Sequence, residues 1–160
     1  MDGLDRKLAA GAMVTVLVIG GAVLSGCGGG ADPAADPLTH PCLLLSASQA
    51  EALLHRSPGS GEEVTQSEVS ECAYQDVGLF VAVARASYSR KSFQEVVDGT
   101  KGRAMKETGL GDAAYSFHVQ DESGDFVLLD VLKGRRLVQI TAPSVDVGRQ
   151  AAGLVLPRVR

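Results

Sequence analysis

An α+β fold is what this sequence predicts, with an antiparallel sheet of about five strands and helices packed on one face. Two observations carry that expectation. From residue 38 onward, segments with apolar residues at helical spacing alternate with segments of period-two or continuous apolar character, in the order α-β-β-α-β-β-β-α. Short clusters of Gly, Pro, Ser and Asp separate the segments, which favours tight connections between neighbouring strands. Read coarsely, a helix followed by a strand meander occurs twice, and this suggests two pseudo-repeats in topology, although the halves share little sequence.

The first helix is expected to begin near Ser46. Ser46 and Gln49 stand in capping-box relation, and Ala50, Leu53 and Leu54 form an apolar stripe. Ser57-Pro58-Gly59-Ser60-Gly61 stops it. Strands follow over Glu68 to Gln75, with Cys72 and Tyr74 on one face, and over Leu79 to Ser87. In the second of these, Leu79, Val81 and Val83 alternate with Phe80, Ala82 and Ala84, so both faces are apolar and a buried central strand is expected.

A second helix starts near Ser89, with Phe93, Val96 and Val97 at helical spacing and Gly99 as its stop. Three strands come next, Asp112 to Val119, Asp125 to Leu132 and Arg136 to Ala142. Lys133-Gly134-Arg135 reads as a three-residue hairpin loop between the last two. Pro143-Ser144 opens a final helix in which Val147, Ala151, Leu154 and Val155 share a face, and Pro157 marks its end.

With 45% hydrophobic and 21% charged residues in 160, the chain has the makeup of one globular domain with extensions. A net charge of -4 argues against a general binder of nucleic acid or anionic membranes, which needs a basic field. Aromatic content is 4% with no Trp, so stacking platforms for single strands are poorly supplied.

The N-terminal extension reads as an address. Leu8 to Leu24 is an apolar and small-residue stretch, preceded by Arg6-Lys7 and followed by small residues, which is the layout of a secretory signal. Leu24-Ser25-Gly26-Cys27 resembles the lipobox of bacterial lipoproteins. There a cysteine thiol receives a diacylglycerol, and cleavage then leaves that cysteine first. On this reading residues 1-26 are a removed signal peptide, and Cys27 is the lipidation site. Residues 27-37, rich in Gly, Pro and Asp, are a flexible tether. Residues 38-160 are the extracytoplasmic domain. Two or more acyl chains, at about 0.8 kcal/mol per buried CH2, exceed the single chain that binds only marginally.

Cys42 and Cys72 remain, in what is then an oxidising compartment. A disulfide between them is the simple reading, and a loop of about 30 residues would contribute roughly 3.5 kcal/mol. A metal pair or a redox pair is the alternative, and neither has CxxC spacing or a companion His/Cys cluster.

Three segments match something familiar. They are Pro41-Cys42-Leu43-Leu44-Leu45-Ser46, Cys72-Ala73-Tyr74, and Gly109-Leu110-Gly111-Asp112-Ala113-Ala114-Tyr115. Together they resemble the DUF3558-type lipoproteins of actinobacteria over about residues 41 to 142. The resemblance implies an exported, membrane-tethered α+β domain with the Cys42 to Cys72 bridge, and it implies no activity. A looser similarity, to extracellular sensor domains of actinobacterial receptor kinases, supports ligand binding only in general terms.

Catalytic chemistry finds little to build on. His40, His55 and His118 are scattered over tether, helix end and strand, without an HxxxH or HxH pair. No GxSxG turn presents a serine. Gly109-Leu110-Gly111-Asp112 lacks the Lys-Ser/Thr of a phosphate loop and precedes a strand, so it reads as a turn. Glu62-Glu63 and Asp121-Glu122 read as solvated loop charges. Asp130 interrupts an apolar strand, and in the expected hairpin Arg136 lies diagonal to it, within reach of a pair on one sheet face. The plain reading of Asp130 and Arg136 is a salt bridge on the sheet surface or edge, and the functional one is a pair of ligand-orienting charges.

The expectation is a non-enzymatic lipoprotein on the outer face of a cell membrane, with no cofactor, metal or nucleic-acid partner. It would bind a small apolar ligand or envelope component. The alternative is a protein-interaction accessory subunit of a membrane or envelope complex.

Overall fold

The structure, a computed structural model, describes residue 36 and residues 39–66, 68–100, 102–121 and 124–159. The expected export signal, Cys27, and the tether apart from Asp36 lie outside the described residues. Asp32–Arg160 forms one compact unit. All strand pairing, both apolar clusters and the disulfide lie inside it, so it carries what a domain needs to fold alone.

Three helices and one sheet make up the described chain. The elements run α1 (Ala47–Leu54), β1 (Glu62–Thr65), β2 (Val69–Tyr74), β3 (Leu79–Ala84), α2 (Arg90–Gly99), β4 (Ala104–Glu107), β5 (Ala113–Asp121), β6 (Gly124–Lys133), β7 (Arg136–Ala142) and α3 (Val145–Val155). The strands pair antiparallel throughout in the order β1-β2-β3-β7-β6-β5-β4. Two meanders, β1 to β3 and β4 to β7, therefore join where β3 meets β7.

The helix starts follow from their side chains. At α1, Ser46 Oγ accepts from the Gln49 amide at 3.3 Å, and Gln49 Oε1 accepts from the Ser46 amide at 3.0 Å. Ser89 and Ser92 build the same reciprocal cap on α2, and Ser144 caps α3. At the C-terminus, the Arg158 guanidinium donates to the Leu44 carbonyl at 2.8 Å and to Gln49 Oε1 at 3.1 Å, tying the last turn to the first.

The architecture departs from the sequence expectation in four ways. The sheet has seven strands rather than five, and β1 and β4 are the additional ones. Each is a four-residue, mostly exposed edge strand, EEVT and AMKE, in which charge outweighs apolar alternation. Glu62-Glu63 are thus strand residues and not loop charges. The element order becomes α-β-β-β-α-β-β-β-β-α.

The helices, moreover, do not share one face. α1 and α3 pack on the face carrying Val81, Val83, Leu129, Val131, Val138 and Ile140. Phe93 and Val97 of α2 instead join Phe117, Leu132 and Leu137, which the pleat turns to the opposite face. Finally, the β6–β7 connection is one residue shorter than expected. Lys133 pairs with Arg136, leaving Gly134-Arg135 as a two-residue turn with Gly134 at φ +59°.

Candidate functional site

That one-residue difference in register decides the fate of the expected charge pair. Asp130 lies opposite Gln139, and Leu132 opposite Leu137, so Arg136 projects from the other face of the sheet. Its guanidinium donates to the Arg85 carbonyl at 2.7 Å. Asp130 is fully buried, and its Oδ1 accepts from the Gln139 amide nitrogen at 2.9 Å. Asp130 Oδ2 has no hydrogen-bond partner. Burial pushes its carboxyl above the ordinary carboxylate value, and the Gln139 hydrogen bond offsets part of that rise. Asp130 and Arg136 form no common site.

Cys42 and Cys72 do come together, as a disulfide joining the turn before α1 to β2. The Gly61 backbone lies against this bridge. A Cβ there would sit 2.7 Å from Cys72 Sγ, 2.8 Å from Tyr74 Cε1 and 2.9 Å from Cys42 Sγ. The Tyr74 hydroxyl donates to the Leu45 carbonyl, so bridge and tyrosine together hold the chain ahead of α1 on the sheet.

The histidines stay apart. His40 pairs with Glu63 at 3.2 Å, His55 is the exposed left-handed cap of α1 at φ 54°, and His118 is exposed on β5. Among the described residues no group of three or more His, Cys, Asp or Glu could hold a metal ion.

What the sequence reading missed lies on the face that carries α2. The helix covers only part of it, above Phe117, Leu132 and Leu137. Beyond the helix, towards the β2–β3 and β5–β6 turns, the sheet surface is open as a cleft of about 690 Å³. Its floor combines Phe80 of β3, Thr141 of β7 and Phe126 of β6, all half-buried, with the buried Val77 at one wall.

Antiparallel register explains this floor, because Phe80 lies directly opposite Thr141 and Thr141 opposite Leu128, one pleat from Phe126. Glu71 stands at the side, its carboxyl raised by partial burial, while Arg56, Asp76 and Asp125 lie at the rim. The chain has four Phe and three Tyr, and two of those seven aromatic rings line this one cleft. The doubly apolar run Leu79 to Ala84 carries the sequence signal, since it predicts a strand with two apolar faces. One of those faces is only half covered.

The cleft can bury an apolar group against two rings and offer a carboxylate for orientation, a combination typical of small-molecule sites. No histidine lines it. No family model, curated protein or solved structure matches the chain.

Proposed function

We propose that the chain is a lipid-anchored, extracytoplasmic and non-enzymatic binding module of a bacterial cell membrane. Its ligand is a small apolar molecule or envelope component, seated on the open half of the sheet. The observation that carries this reading is the aromatic floor, where Phe80 and Phe126 are left half-buried in one concave surface. Exposed aromatic area of this kind is costly in water and gains by burial under a ligand, at roughly 25 cal/mol per Å². A volume near 690 Å³ lies within the usual range for such sites, about 300–1,000 Å³.

The address rests on Leu24-Ser25-Gly26-Cys27 and the apolar stretch before it. The Cys42–Cys72 disulfide suits an oxidising, extracytoplasmic space. The resemblance of Pro41 to Ser46 and of Gly109 to Tyr115 to DUF3558-type lipoproteins points the same way. The alternative role, an accessory subunit of an envelope complex, would draw on the exposed apolar residues Leu43 and Met105. They belong to opposite ends of the strand order, at β1–β2 and at β4, and make no shared patch. The ligand reading is therefore favoured.

The test is a titration of the Asp32–Arg160 unit with N-phenyl-1-naphthylamine, whose emission rises on entering an apolar site. The chain has no Trp to interfere. Saturable enhancement in the wild type, weakened at least tenfold by Phe80→Asp, is expected. Equal enhancement in both proteins would remove the cleft from consideration.

A further inference from the structure

The net charge of -4 conceals a segregated distribution. The end of β3, the β6–β7 turn and the start of α2 lie together, because the Tyr88 amide donates to the Arg135 carbonyl at 2.8 Å. That end of the domain gathers Arg85, Arg90, Lys91, Lys133 and Arg135, which outnumber Glu68 and Asp112 beside them. Asp76, Asp125 and Asp146 lie at the opposite end, by the β2–β3 and β5–β6 turns and the start of α3. Sequence order does not show this, since the basic residues come from three separate segments.

Within the basic end, a second cleft of about 350 Å³ opens between α2 and the β4–β5 connection. Arg90 and Gln94 of α2 form one wall, and Lys106 and Tyr115, facing each other across the β4–β5 pair, form the other. Among the described residues, neither cation has an ion-pair partner, and the Tyr115 hydroxyl has no hydrogen-bond partner.

Two carboxylates also line the cleft, and each has a hydrogen-bond partner. Glu107 accepts from Ser116 Oγ at 2.7 Å and pairs with Arg149 at 3.4 Å, on the opposite sheet face. Asp112 Oδ2 accepts from the Gly134 amide at 2.6 Å. The cleft thus holds two cations without ion-pair partners and a free hydroxyl, with the Asp112 carboxylate still charged at its lining.

The backbone beneath it is fixed. Gly111 sits at φ +53°, where a Cβ would meet the Leu132 carbonyl oxygen at 2.4 Å, and the Asp112 amide donates to that same oxygen at 2.7 Å.

We propose that this cleft binds a phosphate group, as a monoester or diester, through Arg90 and Lys106 with Tyr115 as a further donor. Arginine supplies the planar fork suited to two phosphate oxygens, and lysine a compact point charge. The proposal does not rest on the α2 N-terminus, where Ser89 Oγ already accepts from the Ser92 amide. The inference is independent of the apolar cleft, which lies at the other end of the same sheet face.

Amide-resolved NMR titration of the Asp32–Arg160 unit with inorganic phosphate and with glycerol 3-phosphate tests it. Saturable shifts at Arg90 to Gln94 and Lys106 to Ala113 are expected. The Arg90→Ala/Lys106→Ala variant should lose at least tenfold in affinity, and Lys133→Ala/Arg135→Ala less than threefold. All four side chains are exposed, so both variants should keep wild-type spectral dispersion.

Sedimentation with phosphatidylcholine vesicles, with and without one-third phosphatidylglycerol, separates the sources. Binding to the anionic vesicles that depends on Arg90 and Lys106 identifies a lipid headgroup. Saturable binding of the soluble phosphates without vesicle binding identifies a free phosphate compound. Absence of saturable shifts, or equal losses in the two variants, would overturn the proposal in favour of diffuse attraction.

Discussion

Replacing Cys42 and Cys72 together with alanine removes the covalent link between the turn before α1 and the second strand. The bridge spans 30 positions, and confining the unfolded chain to a loop of that length is worth about 3.5 kcal/mol at 25 °C. Cys72 is fully buried beside Tyr74 and Gly61, so loss of its sulfur adds a packing term of roughly 1 kcal/mol.

At about 2.1 cal/mol/K of unfolding entropy per residue, a unit of roughly 130 residues loses ~13–17 °C of midpoint. Calorimetry of the oxidised wild type and the cysteine-free variant under identical conditions measures this directly. A fall of less than about 4 °C would refute the reasoning, because the bridge would then constrain nothing that the fold does not already hold. Gly61→Ala sharpens the test. Its Cβ collides with both sulfurs, so its cost should shrink in the alanine background, a coupling that a double-mutant cycle resolves.

Gly111→Ala combines a left-handed backbone with a collision against the Leu132 carbonyl, and should cost roughly 2–5 kcal/mol in urea unfolding. A loss below about 1 kcal/mol would mean the β4–β5 connection is not held as described.

Asp130 holds its proton more tightly folded than unfolded, so its contribution to stability falls as pH rises from the unfolded carboxylate range through its raised folded value. Asp130→Asn, which keeps the acceptor for Gln139, should gain stability over wild type at pH 7 and lose most of that advantage at pH 4. An advantage unchanged across that range would contradict the assignment. In cells, Cys27→Ala should abolish acyl labelling and leave the chain unprocessed or released, and persistent labelling would sink the proposed anchor.

Much of the fold was legible where local chemistry is decisive. The Ser46–Gln49 cap, the turn at Ser57 to Gly61 and, apart from the β6–β7 register, the three strands between Ala113 and Ala142 depend on neighbours in sequence and stand where the pattern puts them. The cysteine pair was legible from the absence of CxxC spacing and of a companion His/Cys cluster, and it stands as a disulfide. What failed depends on the other side of a pairing. β1 and β4 are short, charged edges that exist only because β2 and β5 present free ladders, so their own sequence carries almost no periodic signal.

The expected Asp130–Arg136 pair failed through a single residue of hairpin register, which moved Arg136 to the other face. Similarly, the side of the sheet that α2 occupies is invisible in its own stripe of Phe93, Val96 and Val97. That choice leaves half of one face open and creates the cleft.

The open half of the sheet, floored by Phe80 and Phe126, is the proposed ligand surface. Mapping amide shifts of the Asp32–Arg160 unit on addition of N-phenyl-1-naphthylamine tests it most directly. The account predicts that the largest shifts cluster at Val77 to Phe80, Gly124 to Phe126 and Thr141 to Pro143, with the α1–α3 side of the sheet unmoved. Shifts centred on Leu43, on Met105 or in the core beneath α3, or none at all at saturating probe, would contradict it.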